Sequence, residues 1–204
     1  MNEKLTAAAK ALEKRGFAVR CFDSAQEACR FVRGDIGQGA SVAIGGSMTI
    51  REMKLDEQLR EDGHEILWHW DAPPAERPAL LHRALQADAY LCSANALTTD
   101  GLMVQIDGTG NRVGAMCYGP KTVYVVIGRN KLVEGGYQQA VRRIKQVACP
   151  ANARRLGLDT PCAAEGKCDV NACTRSMCHL FLALEGAPGG NTTKVLLVDE
   201  NLGY

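Results

Sequence analysis

Aromatic residues make up only 5% of this 204-residue chain, too few for the stacking platforms on which single-stranded nucleic-acid binders lay their bases. Charge of one sign is lacking as well. Twenty-four Lys and Arg against 23 Asp and Glu leave a net charge of +1, so there is no basic field for nucleic acid and no acidic one for cations. No apolar run approaches the roughly 20 residues that span a bilayer, and the start, Met-Asn-Glu-Lys-Leu-Thr, has neither the basic head nor the apolar core of a secretory signal. A cytoplasmic protein with no membrane span and no nucleic-acid partner is the expectation. The lysine of a P-loop and the G-x-G-x-x-G dinucleotide fingerprint are missing too. No Ser-His-Asp or Cys-His pattern stands out, and His64, His69 and His82 read as packed or surface side chains.

What is present, 46% hydrophobic and 23% charged residues, suffices for one globular domain, residues 1–204, that needs no disulfides to bury its core. Helices and strands alternate. Asn2 caps a helix carrying Leu5, Ala8, Ala9 and Leu12 on one face and ended by Gly16, followed by strand 17–22. Ser24 and Glu27 form a capping box for a helix to about Gly34, with strand 40–44 behind it. Thr49 and Glu52 read as the capping box of the next helix. Strand 64–68, a helix from Pro73 to Gln86 and strand 87–92 continue the series. Such alternation implies an α/β fold, a mostly parallel sheet with helices on both faces. Residues 102–106 and 113–117 then read as a β-hairpin insertion turning at 107–112. Strand 121–127, a helix from Tyr137 to Ala148, a short helix after Pro150, a helix around Met177 to Leu184 and strand 194–198 complete the chain, with a loop at 185–193.

Four of the nine cysteines, Cys162, Cys168, Cys173 and Cys178, fall within the cysteine-rich segment 161–179, separated by gaps of five, four and four residues. Thiolates this close can converge on one soft metal centre, zinc or an iron–sulfur cluster. The two-residue gaps of ferredoxins and zinc ribbons are absent, so spacing alone does not name the metal. Disulfides fit a reducing compartment poorly, whereas four small buried hydrophobes remain an alternative. Cys149 and His179 are substitute ligands within reach of the segment. Cys21, Cys29, Cys92 and Cys117 read as core.

Two loops could hold an anion. Gly45-Gly46-Ser47-Met48-Thr49 lies between a strand and a helix, where N–H groups, the helix dipole and the Ser47 and Thr49 hydroxyls could meet a phosphate or carboxylate. A plain capped βα turn explains it equally well. Asn95, Thr98 and Asp100, in the block 95–101 behind a predicted parallel strand, stand where open α/β folds build active sites, with Asp100 the candidate acid/base group. An Asx-type turn is the plainer reading there. Asn111, Arg112 and Lys121, near glycines 108, 110 and 119, are further candidate anion contacts.

In order and spacing, 44–52 (Ile-Gly-Gly-Ser-Met-Thr-Ile-Arg-Glu), 95–101 (Asn-Ala-Leu-Thr-Thr-Asp-Gly), 107–112 (Asp-Gly-Thr-Gly-Asn-Arg), 119–121 (Gly-Pro-Lys), 128–131 (Gly-Arg-Asn-Lys) and the cysteine segment resemble the lactate-utilisation (LUD) domain family. The resemblance implies the fold of the ribose-5-phosphate isomerase, glucosamine-phosphate deaminase and CoA-transferase-like (NagB/RpiA-like) superfamily, whose ligands sit at glycine-rich strand ends. It also implies an accessory or electron-transfer part in the oxidation of L-lactate or a similar small organic acid, beside iron–sulfur oxidoreductase subunits, with an iron–sulfur cluster on Cys162, Cys168, Cys173 and Cys178. The family's segment resembles Pro-Cys-x5-Cys-x2-Cys-x6-Cys, whereas Cys173 stands two residues later in this chain. Two other readings remain: an enzyme on phosphosugars or acyl-CoA using Asp100 without a redox metal, and a zinc-stabilised scaffold. Neither the substrate nor an oligomeric state is legible.

Overall fold

The computed structural model describes residues 2–204. Six parallel strands form the main sheet in the order β1-β10-β7-β4-β2-β3: β1 is Ala18–Phe22, β2 Ser41–Ile44, β3 Glu65–Trp68, β4 Ala89–Cys92, β7 Tyr118–Gly128 and β10 Gly190–Val198. Central β7 shows why the sheet needs helices on both sides. Val123, Val125 and Ile127 pack on one face with Leu5 and Leu12 of α1 (Glu3–Lys14), while Tyr124 and Val126 pack on the other with Val32 of α2 (Ala25–Asp35). The second face is completed by α3 (Met48–Glu52) and α4 (Leu55–Glu61), and the first by Ala84 of α5 (Arg77–Ala84). A strand buried on both faces has no polar side to alternate with, hence the unbroken apolar run.

A second sheet, β8-β5-β6-β9, covers the carboxyl end of the first. It holds β5 (Ala96–Thr98), β6 (Met103–Asp107), β8 (Leu132–Val133) and β9 (Leu180–Leu184). Here the sequence-based expectation needs three corrections. The hairpin exists, but its strands are β5 and β6, with Asp100 and Gly101 in the turn. Residues 113–117 belong to helix α6 (Asn111–Cys117), because the Asp107 carboxylate accepts from the backbone N–H groups of Arg112 (3.0 Å) and Val113 (3.2 Å), satisfying donors that an extended strand would have paired elsewhere. Finally, 180–184 is a strand, since β6 offers it an antiparallel ladder from Met103 to Asp107.

The run from Tyr137 is helical, as its spacing predicts, but not uniform. After α7 (Tyr137–Arg143) it widens into a π-turn, Ile144–Ala148, before α8 (Cys149–Arg155). Pro150 has no N–H to give the turn before it, which interrupts the regular ladder there. The result carries Ile144, Ala148 and Cys149 onto the second sheet, against Ala96, Val104 and Ile106. A short helix, α9 (Pro161–Glu165), capped by Thr160, follows. Among the described residues no helix is long and apolar enough to cross a membrane.

Gly119 shows how tightly β7 enters the sheet. Its φ is +124°, and a Cβ there would stand 2.5 Å from the Leu85 carbonyl oxygen. Gly119→Ala is expected to cost about 1–3 kcal/mol from backbone strain alone, before the clash is relieved. A urea unfolding midpoint equal to that of the parent would contradict this.

Candidate functional site

The main sheet changes winding direction between β2 and β4, and at the carboxyl ends of these strands a cavity of about 240 Å³ opens. Gly46 and Ser47 follow β2, His69 and Trp70 follow β3, and Ser93 to Asn95 follow β4. Lys131 arrives through a 3₁₀ turn behind β7. The second sheet and α6 supply Asp107, Asn111 and Arg112, and α8 with the cysteine segment supplies Cys149, Asn152, Arg155 and Cys178.

Lys131 is the centre of the site, 3% exposed and, among the described residues, in no ion pair, with the Glu52 carboxylate acting on it only at longer range. Its ammonium donates to Thr49 Oγ1 (2.7 Å) and Ser93 Oγ (2.8 Å), and those hydroxyls donate onward to the carbonyls of Leu202 and Ala94. Two of its three N–H donors are thus used and one remains for a ligand. Burial, and then the nearby cations Arg143 and Arg112, bring the amine down to about 7. Arg143 is itself held by the Asn95 and Asn130 carbonyls. An amine lowered this far is suited to giving or taking one proton near neutral pH.

Arg112 braces the opposite wall. Its guanidinium donates to the carbonyls of Gly46 (3.3 Å) and Ile106 (2.9 Å), with Nε 3.8 Å from the buried Asp107 carboxylate. Its stem explains Gly45, where a Cβ would come within 2.8 Å of Arg112 Cγ and of the Tyr90 hydroxyl. A Cβ on Gly46 would press on Trp70 at 3.4 Å. This glycine pair makes room for side chains, and the Gly45 N–H is taken by Leu91 O. Trp70 stacks on Trp68 at 5.1 Å, with the Arg155 guanidinium 4.5 Å from its ring. Burial, and then the cations Arg77, Arg112 and Arg155, lower the pKa of His69, which faces the cavity. Arg112, Lys131 and Arg155 against Asp107 leave the lining cationic.

The structure brings together some of the sequence-predicted residues and not others. Gly46, Ser47, Asn95, Asn111 and Arg112 line the cavity, and Thr49 reaches it through Lys131. Ser47, not Thr49, caps α3, accepting from the Ile50 N–H at 3.3 Å, and Glu52 accepts from Gly203 instead of closing a capping box. Asn95 is largely committed to structure, its side chain accepting from Ile106 N. Asp100 does not reach the cavity. It is exposed in the β5–β6 turn, bonded by the Thr98 hydroxyl, and Thr98 also accepts from Leu102 N. This is the turn chemistry that Asx-type sequences supply. Lys121 pairs with Asp88 at 2.7 Å where β4 and β7 begin, the far end of the sheet.

Of the cysteines, Cys178 lies with its Sγ 3.5 Å from Cys149 Sγ, both on the cavity wall. The Cys149 thiol and the Lys145 ammonium hold Cys178 below the ordinary thiol range, and Cys149 is pushed up in turn. Cys162 is buried against Thr160, Cys168 is exposed and Cys173 is partly exposed. Among the described residues no three His, Cys, Asp or Glu side chains converge in a way that would hold a metal ion. Cys168 nonetheless lies within electrostatic reach of Cys162, Cys173 and Cys178. Lys131, Ser93, His69 and Trp70 escaped the sequence reading as site residues. The available signal was position, since each stands directly behind a parallel strand.

Parallel strands with helices on both faces and a cationic cavity at the switch point define an α/β protein of the doubly wound kind. The sequence profile of the LUD domain matches residues 5–198, and the chain belongs to that family. Its fold is similar to the crystal structure of a DUF162 family protein from Deinococcus radiodurans, with a TM-score of 0.58 and 17% identity over 96% of each chain. Comparison with curated proteins finds no significant match.

Proposed function

We propose that the cavity binds a small organic acid or phosphate-containing anion, and that the protein serves as an accessory component in the oxidation of L-lactate or a similar acid. The observation that carries this reading is Lys131: a buried amine at the switch point that, among the described residues, makes no ion pair and has one donor beyond those given to Thr49 and Ser93. An anion there would offset the charge that burial penalises, while Arg112 and Arg155 add attraction. Lys131 would also be placed to accept a proton from a ligand hydroxyl or to return one. Membership in the LUD-domain family supports the substrate class. An electron-transfer role would rest on a metal held by Cys162, Cys168, Cys173 and Cys178, of which Cys168 lies within electrostatic reach of the other three, and no step is assigned to such a metal.

Calorimetric titration at low ionic strength with L-lactate, glycolate, pyruvate and inorganic phosphate tests the reading. At least one should bind with one-to-one stoichiometry and more tightly at pH 6 than at pH 9, because the ammonium form dominates below about pH 7. Equal affinity at both pH values, or no heat with any of the four at millimolar concentration, would refute it.

A further inference from the structure

We propose that Cys149 and Cys178 form a redox-active dithiol site that reacts with low-molecular-weight disulfides, a chemistry separate from anion binding at Lys131. The sulfurs are 3.5 Å apart, and closing to the roughly 2.05 Å of a disulfide requires a shift that side-chain rotation and the loop carrying Cys178 could supply. Both thiols face the cavity, so a small disulfide could approach them from there. Their accessibilities differ in a useful sense: Cys178 is partly exposed and Cys149 buried directly behind it.

The chemistry balances without a metal. The Cys178 thiolate attacks one sulfur of the disulfide, forming a mixed disulfide and releasing the first small thiol. Cys149 then gives up its proton and attacks the Cys178 sulfur, forming the intramolecular bond and releasing the second. In sum the two protein thiols are oxidised, losing two hydrogens, and one small disulfide is reduced to two thiols. The product would tie the start of α8 to the segment before β9 and so remodel one wall of the cavity.

The test is exposure of the reduced full chain to oxidised glutathione, followed by intact mass and peptide mapping. The parent should lose two hydrogens and yield one cross-linked peptide pair containing Cys149 and Cys178. Cys149→Ser should stop at the glutathione adduct on Cys178, and Cys178→Ser should lose the bridge. Cys117→Ser, altering an exposed cysteine at the end of α6, should behave as the parent. A bridge between any other pair, adducts distributed evenly over the exposed cysteines, or stoichiometric zinc or iron in the purified protein that Cys149→Ser releases would overturn the proposal. Peptide mapping of the unaltered parent keeps the answer available even if a variant folds poorly.

Discussion

Lys131→Met is expected to stabilise the fold at pH 6 while weakening anion binding 10- to 100-fold. The lysine sits near 7 in the folded protein against an ordinary 10.5. Below pH 7 it is an ammonium in both folded and unfolded chains, and the fold bears the whole cost of burying it. Between about 7 and 10.5 the unfolded chain keeps a proton that the folded one has released, so the parent gains stability as pH rises. Above that range both forms are neutral and the penalty has gone. Methionine fills a similar volume without a charge, so its advantage over the parent should be greatest at pH 6, on the order of 3–5 kcal/mol less the two hydroxyl hydrogen bonds, and should fade by pH 10. Comparing the two proteins at each pH cancels the ionisation of the cysteines they share. The affinity loss follows from removing one charge-assisted hydrogen bond, about 1.5–3 kcal/mol. Urea unfolding at pH 6, 8 and 10 with phosphate and L-lactate titrations reads both effects. If the variant were less stable at every pH by the same amount, the ammonium would have to be paired in the native state, and the functional reading would fail with it.

This combination of a stability cost with a binding role explains which parts of the molecule were legible in the sequence. The alternation of caps, helices and apolar runs was enough for the parallel sheet, because β7 and β10 bury both faces and their sequences show it. The second sheet was misread because its strands are short and their partners distant: β6 pairs with β9 across more than seventy residues, a fact that no local period records. The same distance hid the site. Lys131 looks like any lysine after a strand until the fold seats it between Thr49 and Ser93, while Asp100, whose turn draws on the same polar residues as catalytic loops, stands away from the cavity. The cysteines were legible as a cluster, and Cys149 as a possible member of it, but not the particular approach of Cys149 to Cys178.

Asp107→Ala should be the most damaging single change on the second sheet, costing about 3–5 kcal/mol, the range for breaking a buried charged network by removing one partner. The residue is 4% exposed, and its carboxylate accepts from the backbone N–H groups of Thr109 (3.3 Å), Arg112 (3.0 Å) and Val113 (3.2 Å). Its second oxygen also faces the Arg112 guanidinium at 3.8 Å. Alanine would leave three donors without an acceptor and a half-buried cation without its counter-charge. The consequence reaches the cavity, since Arg112 is the side chain that joins Gly46, in the loop behind β2 of the first sheet, to Ile106 on the second. Asp107→Asn separates the two contributions, because its amide oxygen can still accept from part of this set while the negative charge is lost. The asparagine variant should recover about half of the lost stability in urea unfolding, with anion affinity no weaker than the parent's because the lining has become more cationic. If asparagine and alanine proved equally damaging, the charge pair with Arg112, and not the start of α6, would be what fixes this wall. If both proved harmless, α6 would have to be held by the packing of Ala115 and Met116 on the main sheet alone.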